Sequence, residues 1–290
     1  MYGLTRTLFF NDWKMKKLCL IFIGLLPALL YGQQTKVNII CRYDMSYTND
    51  TTRRGYNRKD IIILKIGNGI SECYSEYTHT ADSIMALPDG AQVMGDLISR
   101  EIRNGSRNFP TQRSGFHIYK HPDTGKMTVH DRVQREYYVY EDSLTTQQWE
   151  LLDSSKTVLG YACRYAKCFF RGREYYAWFT PEVAVGEGPW KFYGLPGLIM
   201  EVGDSRNQYH FIITGIYPDG GQGTIAVPKK TQDGTKFIKT DRKAFLRLSE
   251  KYLKDVGGYT MITSTIRVEG VTESNPKILR YDLMERDYKN

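Results

Sequence analysis

Apolar and polar positions alternate with period two through most of the chain, the pattern of strands with one buried and one wet face. Residues 37–43 and 61–66 carry it first, with the polar, arginine-rich stretch 50–59 between them as a loop. Gly67-Asn68-Gly69 gives a hairpin turn into a strand over residues 70–77. Pro122-Asp123-Thr124-Gly125 is a strong turn string between residues 117–120 and 127–140. Beyond Trp149, a segment running to Gly160 leads into two aromatic-rich arms, 161–170 and 174–180, joined at Arg171-Gly172-Arg173. Residues 200–202 and 209–216 make another hairpin around the tip 203–207, and 259–268 reads as a last long strand.

Two stretches change to the helical period. In one, Asp89 and Gln92 occupy cap and capping-box positions ahead of Met94, Leu97, Ile98 and Ile102, and Gly105 is a natural stop. In the other, Thr240-Asp241 precedes Phe245, Leu248, Tyr252 and Val256, with Gly257-Gly258 at the end. The charged tail 273–290 reads as partly helical or loosely packed. These elements predict a mostly β (α+β) fold: a large curled antiparallel sheet, half-barrel-like, with two helices packed on it. The concave face of such a sheet is the expected place for a ligand.

Residues 188–199, Gly-Pro-Trp-Lys-Phe-Tyr-Gly-Leu-Pro-Gly-Leu-Ile, concentrate prolines, glycines and aromatics in one turn. Proline fixes φ and glycine permits close backbone approach, so the turn should hold one shape. Its apolar load, Trp190, Phe192, Leu195 and Leu198, favours a loop tucked onto the sheet over a free tip.

Composition adds export to this picture. Met15-Lys16-Lys17, an apolar run over 18–30 and Tyr31-Gly32 have the three regions of a secretory signal, so residues 1–32 read as an upstream extension plus leader, with translation starting at Met15. The run is short and contains Pro27, whereas a membrane span needs about 20 apolar residues. Residues 33–290 then form a single exported domain. The formal charge of +8 is scattered among acids, with no basic block and no Cys/His finger spacing, which argues against nucleic acid as a partner.

Cys41, Cys73, Cys163 and Cys168 remain after the leader, and an exported chain with an even count is a candidate for disulfides. If 161–170 is one strand, Cys163 and Cys168 lie on opposite faces about 16 Å apart and cannot join each other. Full pairing would then link Cys41 and Cys73 one each to Cys163 and Cys168, with free buried thiols as the other state.

Gly160-Tyr161-Ala162-Cys163 with Ala166, Gly172-Arg173 with Tyr176-Ala177-Trp178-Phe179-Thr180, Gly188-Pro189-Trp190-Lys191-Phe192, and Gly194-Leu195-Pro196-Gly197-Leu198-Ile199 together resemble the GLPGLI family of exported proteins of Gram-negative bacteria. The likeness is dense from about Trp149 to Asp204 and departs at Val183-Ala184-Val185, where the family often has isoleucine-proline. The resemblance implies a mostly β protein of the periplasm or outer membrane, analogous in fold to half-barrel carriers. It implies no catalytic residue, because the family has no established activity.

Among chemical motifs, GxSxG, HExxH and the P-loop are all missing from the sequence. If the 122–125 turn closes with His121 opposite Lys126, His117 falls opposite His130 at cross-strand distance, a two-histidine candidate for a metal. Tyr161, Trp178, Trp190 and Phe192, with Arg173 at the adjoining turn, are the candidate lining of a ligand site, with core packing as their alternative role. The expected role is therefore non-catalytic: binding or carrying a lipid, a peptide or another apolar ligand, or assisting an outer-membrane or periplasmic protein, with no cofactor. The alternatives are a hydrolase or metal-dependent enzyme whose residues converge only in three dimensions, and a structural partner of an outer-membrane complex.

Overall fold

The computed structural model describes residues 34–48, 50, 57–106, 109–144, 147–220, 223–254 and 282–289. The leader expected over residues 1–32, the strand expected over 259–268, the end of the second expected helix and the first part of the tail lie outside these residues. Gln34–Asn290 is one compact unit.

The alternating pattern becomes strands β1 (Thr35–Tyr47), β2 (Arg58–Gly67), β3 (Ile70–Ser75), β4 (His117–His121), β5 (Lys126–Val133) and β6 (Glu136–Ser143) in the first half. The second half supplies β7 (Glu150–Val158), β8 (Tyr161–Phe170), β9 (Arg173–Thr180), β10 (Leu198–Asp204), β11 (Tyr209–Pro218), and the two-residue β12 (Thr224–Ile225) and β13 (Ile238–Lys239). They form one open sheet in the order β13-β6-β5-β4-β3-β2-β1-β11-β10-β9-β8-β7, with β12 beside β1. All pairs are antiparallel except β13 on β6, a short parallel edge that the sequence pattern does not announce. β7 ends the other side, and its largely exposed, polar surface suits an edge.

Three helices occur among the described residues, not two. α1 (Glu76–Met85) replaces the expected end of β3, because Ser75 turns the chain: its Oγ accepts from the Thr78 N–H and caps the first turn. α2 (Gly90–Arg103) begins at the expected Asp89, although the Asp89 side chain makes no capping bond. It buries only Gly90, so its apolar stripe does not reach the sheet. α3 (Arg242–Lys254) does pack on the sheet, placing Phe245 against Tyr138 and Tyr140 of β6 at ring separations of 5.7 and 5.5 Å.

The larger of two hydrophobic clusters fills the inner face of the sheet, and the 188–199 loop lies inside it; Val37, Ile70, Tyr119 and Ile225 form the smaller one. Trp190, Phe192, Leu195, Leu198 and Ile199 are all buried. Phe192 touches Phe170 of β8, Tyr175 of β9 and Phe211 of β11, while Lys120 of β4 donates to the Phe192 carbonyl at 2.9 Å. A single side chain and its backbone thus meet strands from both arms of the sheet, which is what curling round a plug requires. Gly197 passes so close to β9 that a Cβ there would stand 2.1 Å from the Thr180 carbonyl oxygen. Glycine at that position is a packing necessity.

The segment 282–289 is not loose. Glu285 and Asp287 meet Lys191, Arg171 and Arg242, and Asp282 meets Arg173, so charge pairs hold the tail to the β8–β9 turn, β9, the plug and α3. Tyr288 is buried with it.

Candidate functional site

Three antiparallel strands build the site on the face of the sheet that turns away from the plug. Tyr74 of β3 pairs with His117 of β4, Glu72 with Tyr119, and His117 with His130 of β5. Period-two geometry therefore sends Glu72, Tyr74, His117, Tyr119 and His130 to one side, while Cys73, Ile118 and Lys120 enter the core. α1 brings His79 over this side, and the segment before β13 brings Phe237. Together they enclose a cavity of about 540 Å3.

Ring contacts run across its floor without a break. Tyr74 meets His79 at 4.7 Å and His117 at 4.9 Å, His117 stacks on Tyr119 at 4.8 Å, Tyr119 meets His130 edge-on at 5.5 Å, and His130 stacks on Phe237 at 4.0 Å. His117 Nε2 lies 2.7 Å from Glu72 Oε1 and 2.9 Å from the Tyr119 hydroxyl. Burial pushes the Glu72 carboxyl up, but the hydrogen bond and charge of His117 with the ammonium of Lys65 outweigh it, leaving Glu72 below its ordinary value. An ionised carboxylate only accepts, so Nε2 of His117 carries the proton between them. Burial, reinforced by His117, lowers His130 to about 4, so its imidazole is neutral at physiological pH. His79 is lowered for the same two reasons, burial first.

The register that sets His117 opposite His130 is the expected one, and it places an aromatic ring against both imidazoles. Tyr119 contacts both rings, and the Nε2 of His117 is committed to Glu72 and Tyr119. Among the described residues no group of three or more His, Cys, Asp or Glu side chains is placed to hold a metal ion.

The five aromatic and arginine candidates do not come together. Trp190 and Phe192 meet at 5.1 Å inside the plug; Trp190 also reaches the wall of a smaller inner cavity of about 250 Å3 beneath α3. Arg173 is buried in a structural cluster, paired with Asp204 at 2.5 Å and donating to Gln208 and to the Leu283 carbonyl. Trp178 stands on the other face of β9, beside Tyr165 at 4.8 Å and under the Lys156 ammonium at 4.6 Å. Tyr161, at the start of β8, is half-buried.

The four cysteines among the described residues are free and buried. Cys41 and Cys73 both pair with Leu64, which leaves a whole strand between them, or about 9.6 Å. Cys163 and Cys168 belong to β8, separated from β1 by three strands, so the pairings expected across the sheet are not made. The Cys73 sulfur instead accepts from the Trp190 N–H at 3.1 Å, tying β3 to the plug.

Sequence reasoning passed over Glu72, Tyr74, His79, Tyr119 and Phe237. Their signal is modest but present: three consecutive strands carry aromatic or titratable residues at alternate positions on a face expected to be wet.

Comparison with known proteins adds a family of unknown function. A family described as "Protein of unknown function (Porph_ging)" matches residues 171–201, from the β8–β9 turn through the plug to β10. No curated protein matches the chain. Among solved structures, the chain is similar to two crystal forms of PNGF-II. "Structure of PNGF-II in P21 space group" aligns at 13% identity and a TM-score of 0.48, over 74% of this chain and 34% of that one. "Structure of PNGF-II in C2 space group" aligns at 13% identity and a TM-score of 0.47, over 76% of this chain and 33% of that one. The chain thus spans about a third of the length of these solved relatives.

Proposed function

We propose that the protein is an exported cell-envelope protein of the GLPGLI type that binds a ligand non-catalytically in the cavity over β3, β4 and β5. The observation that carries this reading is the cavity of about 540 Å3, within the size range of small-molecule sites, floored by a continuous run of rings. The curled interior is a poorer place for a lipid or other apolar ligand, because the plug occupies it. Export rests on the leader pattern of residues 15–32.

The Glu72–His117 pair is of the kind that orients a general base, but the hydroxyl it meets is the buried phenol of Tyr119, which burial pushes far above its ordinary value, and the serine and threonine hydroxyls of β3 and α1 in the wall are engaged elsewhere. Ser75 Oγ donates to Asp60, and Thr78 Oγ1 accepts from the Arg113 N–H. Binding is therefore favoured over hydrolysis. Native mass spectrometry of protein purified gently from the periplasm tests this. A stoichiometric adduct present on wild type and lost on His79→Trp, which fills the cavity, is the expected result. An adduct unaffected by that change but lost on Trp190→Ala would place binding in the interior and overturn the reading.

A further inference from the structure

We propose that this cavity takes an organic cation, an ammonium group carried on an apolar or aromatic body, with Asp131 of β5 as its counter-charge. The inference rests on the reading of the cavity as a ligand site and names the chemistry of its occupant.

The walls are suited to positive charge. Tyr74, Tyr119, Tyr137 and Phe237 are on the wall, and ring faces attract cations: Tyr74 already carries the Lys65 ammonium at 5.1 Å, while His117 covers one face of Tyr119 and His130 one face of Phe237, which leaves Tyr137 and the second face of Phe237 for a ligand. The histidines add no opposing charge while neutral, and burial favours that form at His79 and His130. Lys230 is the sole Lys or Arg among the described residues of the wall. An anion would thus meet carboxylates and ring faces with little to hold it.

The carboxylates on the wall are not equivalent. Glu72 is matched by Lys65 at 3.3 Å and by His117, and Asp82 by Arg132 at 3.2 Å. Asp131 has no ion pair among the described residues; its Oδ1 accepts one hydrogen bond, from the Arg132 N–H at 2.8 Å. By the alternation that sends His130 outward, Asp131 lies toward the core side of β5 between buried Val129 and Val133, and it lines both the smaller inner cavity and the outer one, as Gly115 and Phe116 do. The missing side chain at Gly115 leaves room for it, since a Cβ there would come within 2.5 Å of Asp131 Oδ1. Burial raises the Asp131 carboxyl to about 6, partly opposed by the Arg132 N–H and by the charges of Arg132 and Lys191. A carboxyl left without a cation in a ring-lined cavity is what a cationic ligand would complete.

The sign of the pH dependence follows. A cation prefers ionised Asp131, so affinity should be full at pH 7.5 and fall as the carboxyl takes up its proton below about 6. The charged and titratable groups facing this region are Arg132 on the same strand, Arg58, Arg113, Lys191 and Glu285 around the inner cavity, Lys65 beside Glu72, and Glu72, His79, Asp82, His117, His130, Lys230 and Asp233 on the outer cavity wall. Protonated histidines would push affinity in the same direction, which is why the Asp131→Asn comparison is needed.

The test is calorimetric titration of the full purified protein with phenethylammonium, neutral 2-phenylethanol and 3-phenylpropionate, at pH 7.5 and pH 5. Phenethylammonium should bind best at pH 7.5 and weaken by about tenfold at pH 5. Asp131→Asn should lose about ten- to a hundredfold for the cation, the range of a charged hydrogen bond, while leaving 2-phenylethanol unchanged. A thermal melt establishes that the variant is folded; if it is not, the ranking of the three probes and the pH dependence of wild type decide alone. Equal or better binding of the neutral or anionic probe, or a folded Asp131→Asn that keeps full cation affinity, overturns the assignment of charge but keeps the cavity as a site. Failure of all three probes to bind overturns both.

Discussion

Lys120→Met isolates what holds the plug in the sheet. Lys120 is fully buried on the inner face of β4, and its ammonium donates to the Gly188 carbonyl at 2.6 Å, the Phe192 carbonyl at 2.9 Å and Glu187 Oε2 at 3.1 Å. Methionine keeps much of the volume but removes every donor. Glu187 would remain buried with Ser71 Oγ as its hydrogen-bond donor at 2.9 Å. Breaking one partner out of a buried ion pair costs about 3–5 kcal/mol. Two orphaned carbonyls add about 1 kcal/mol or more between them. A total of about 4–6 kcal/mol corresponds to a fall in Tm of about 10–20 °C for a domain of this size. The assay is thermal and urea unfolding followed by tryptophan fluorescence, with Trp190 as a reporter inside the plug. Lys120→Met with Glu187→Gln should recover about 2 kcal/mol relative to the sum of the single changes, because the stranded charge is gone. A fall below about 3 °C for the single variant, or strict additivity in the double, would refute the pair as the anchor of the loop.

Four further outcomes follow from the structure. Gly197→Ala drives a Cβ to within 2.1 Å of the Thr180 carbonyl and should cost more than about 3 kcal/mol by urea denaturation, whereas Gly95→Ala, at an exposed position of α2 with nothing near it, should cost nothing. Arg173→Met strands buried Asp204 and should destabilise by about 3–5 kcal/mol, while ligand affinity per folded molecule stays unchanged. His130 is neutral in the fold down to about 4, so the unfolded chain binds the extra proton between pH 6.5 and about 4, and stability must fall as pH drops through that window. The loss is about 3 kcal/mol, and His130→Phe should remove it when denaturation curves at pH 7.5 and 4.5 are compared. Burial raises the thiols of Cys41, Cys73 and Cys168 to about 12, so a neutral disulfide reagent should leave them unmodified until denaturant is added.

Much of the sheet is legible in the sequence because turn chemistry and alternation agree. Pro122 to Gly125 fixes the hairpin that places His117 opposite His130, and Gly67-Asn68-Gly69 fixes β2 against β3. The apolar content of Trp190, Phe192 and Leu195 likewise announces a buried loop. α1 is hidden because it buries only Thr78 and Ala81, too little to impose a helical period on its sequence. Lys120, Lys191, Arg173 and Asp204 are hidden for the opposite reason: local sequence reads them as wet, and only long-range pairing makes their burial tolerable. The cavity combines both difficulties. Glu72 and His117 are 45 residues apart, and Phe237 arrives from a segment with no strand pattern of its own, so no local spacing could join them.

The most direct test is NMR of protein labelled at histidine ring and tryptophan indole nitrogens, purified with its natural ligand and compared before and after the ligand is stripped. Binding over β3, β4 and β5 predicts shifts at His79, His117 and His130, with the indole of Trp190 unmoved. Shifts confined to Trp190, with the three imidazoles unchanged, would contradict it and return the ligand to the interior of the sheet.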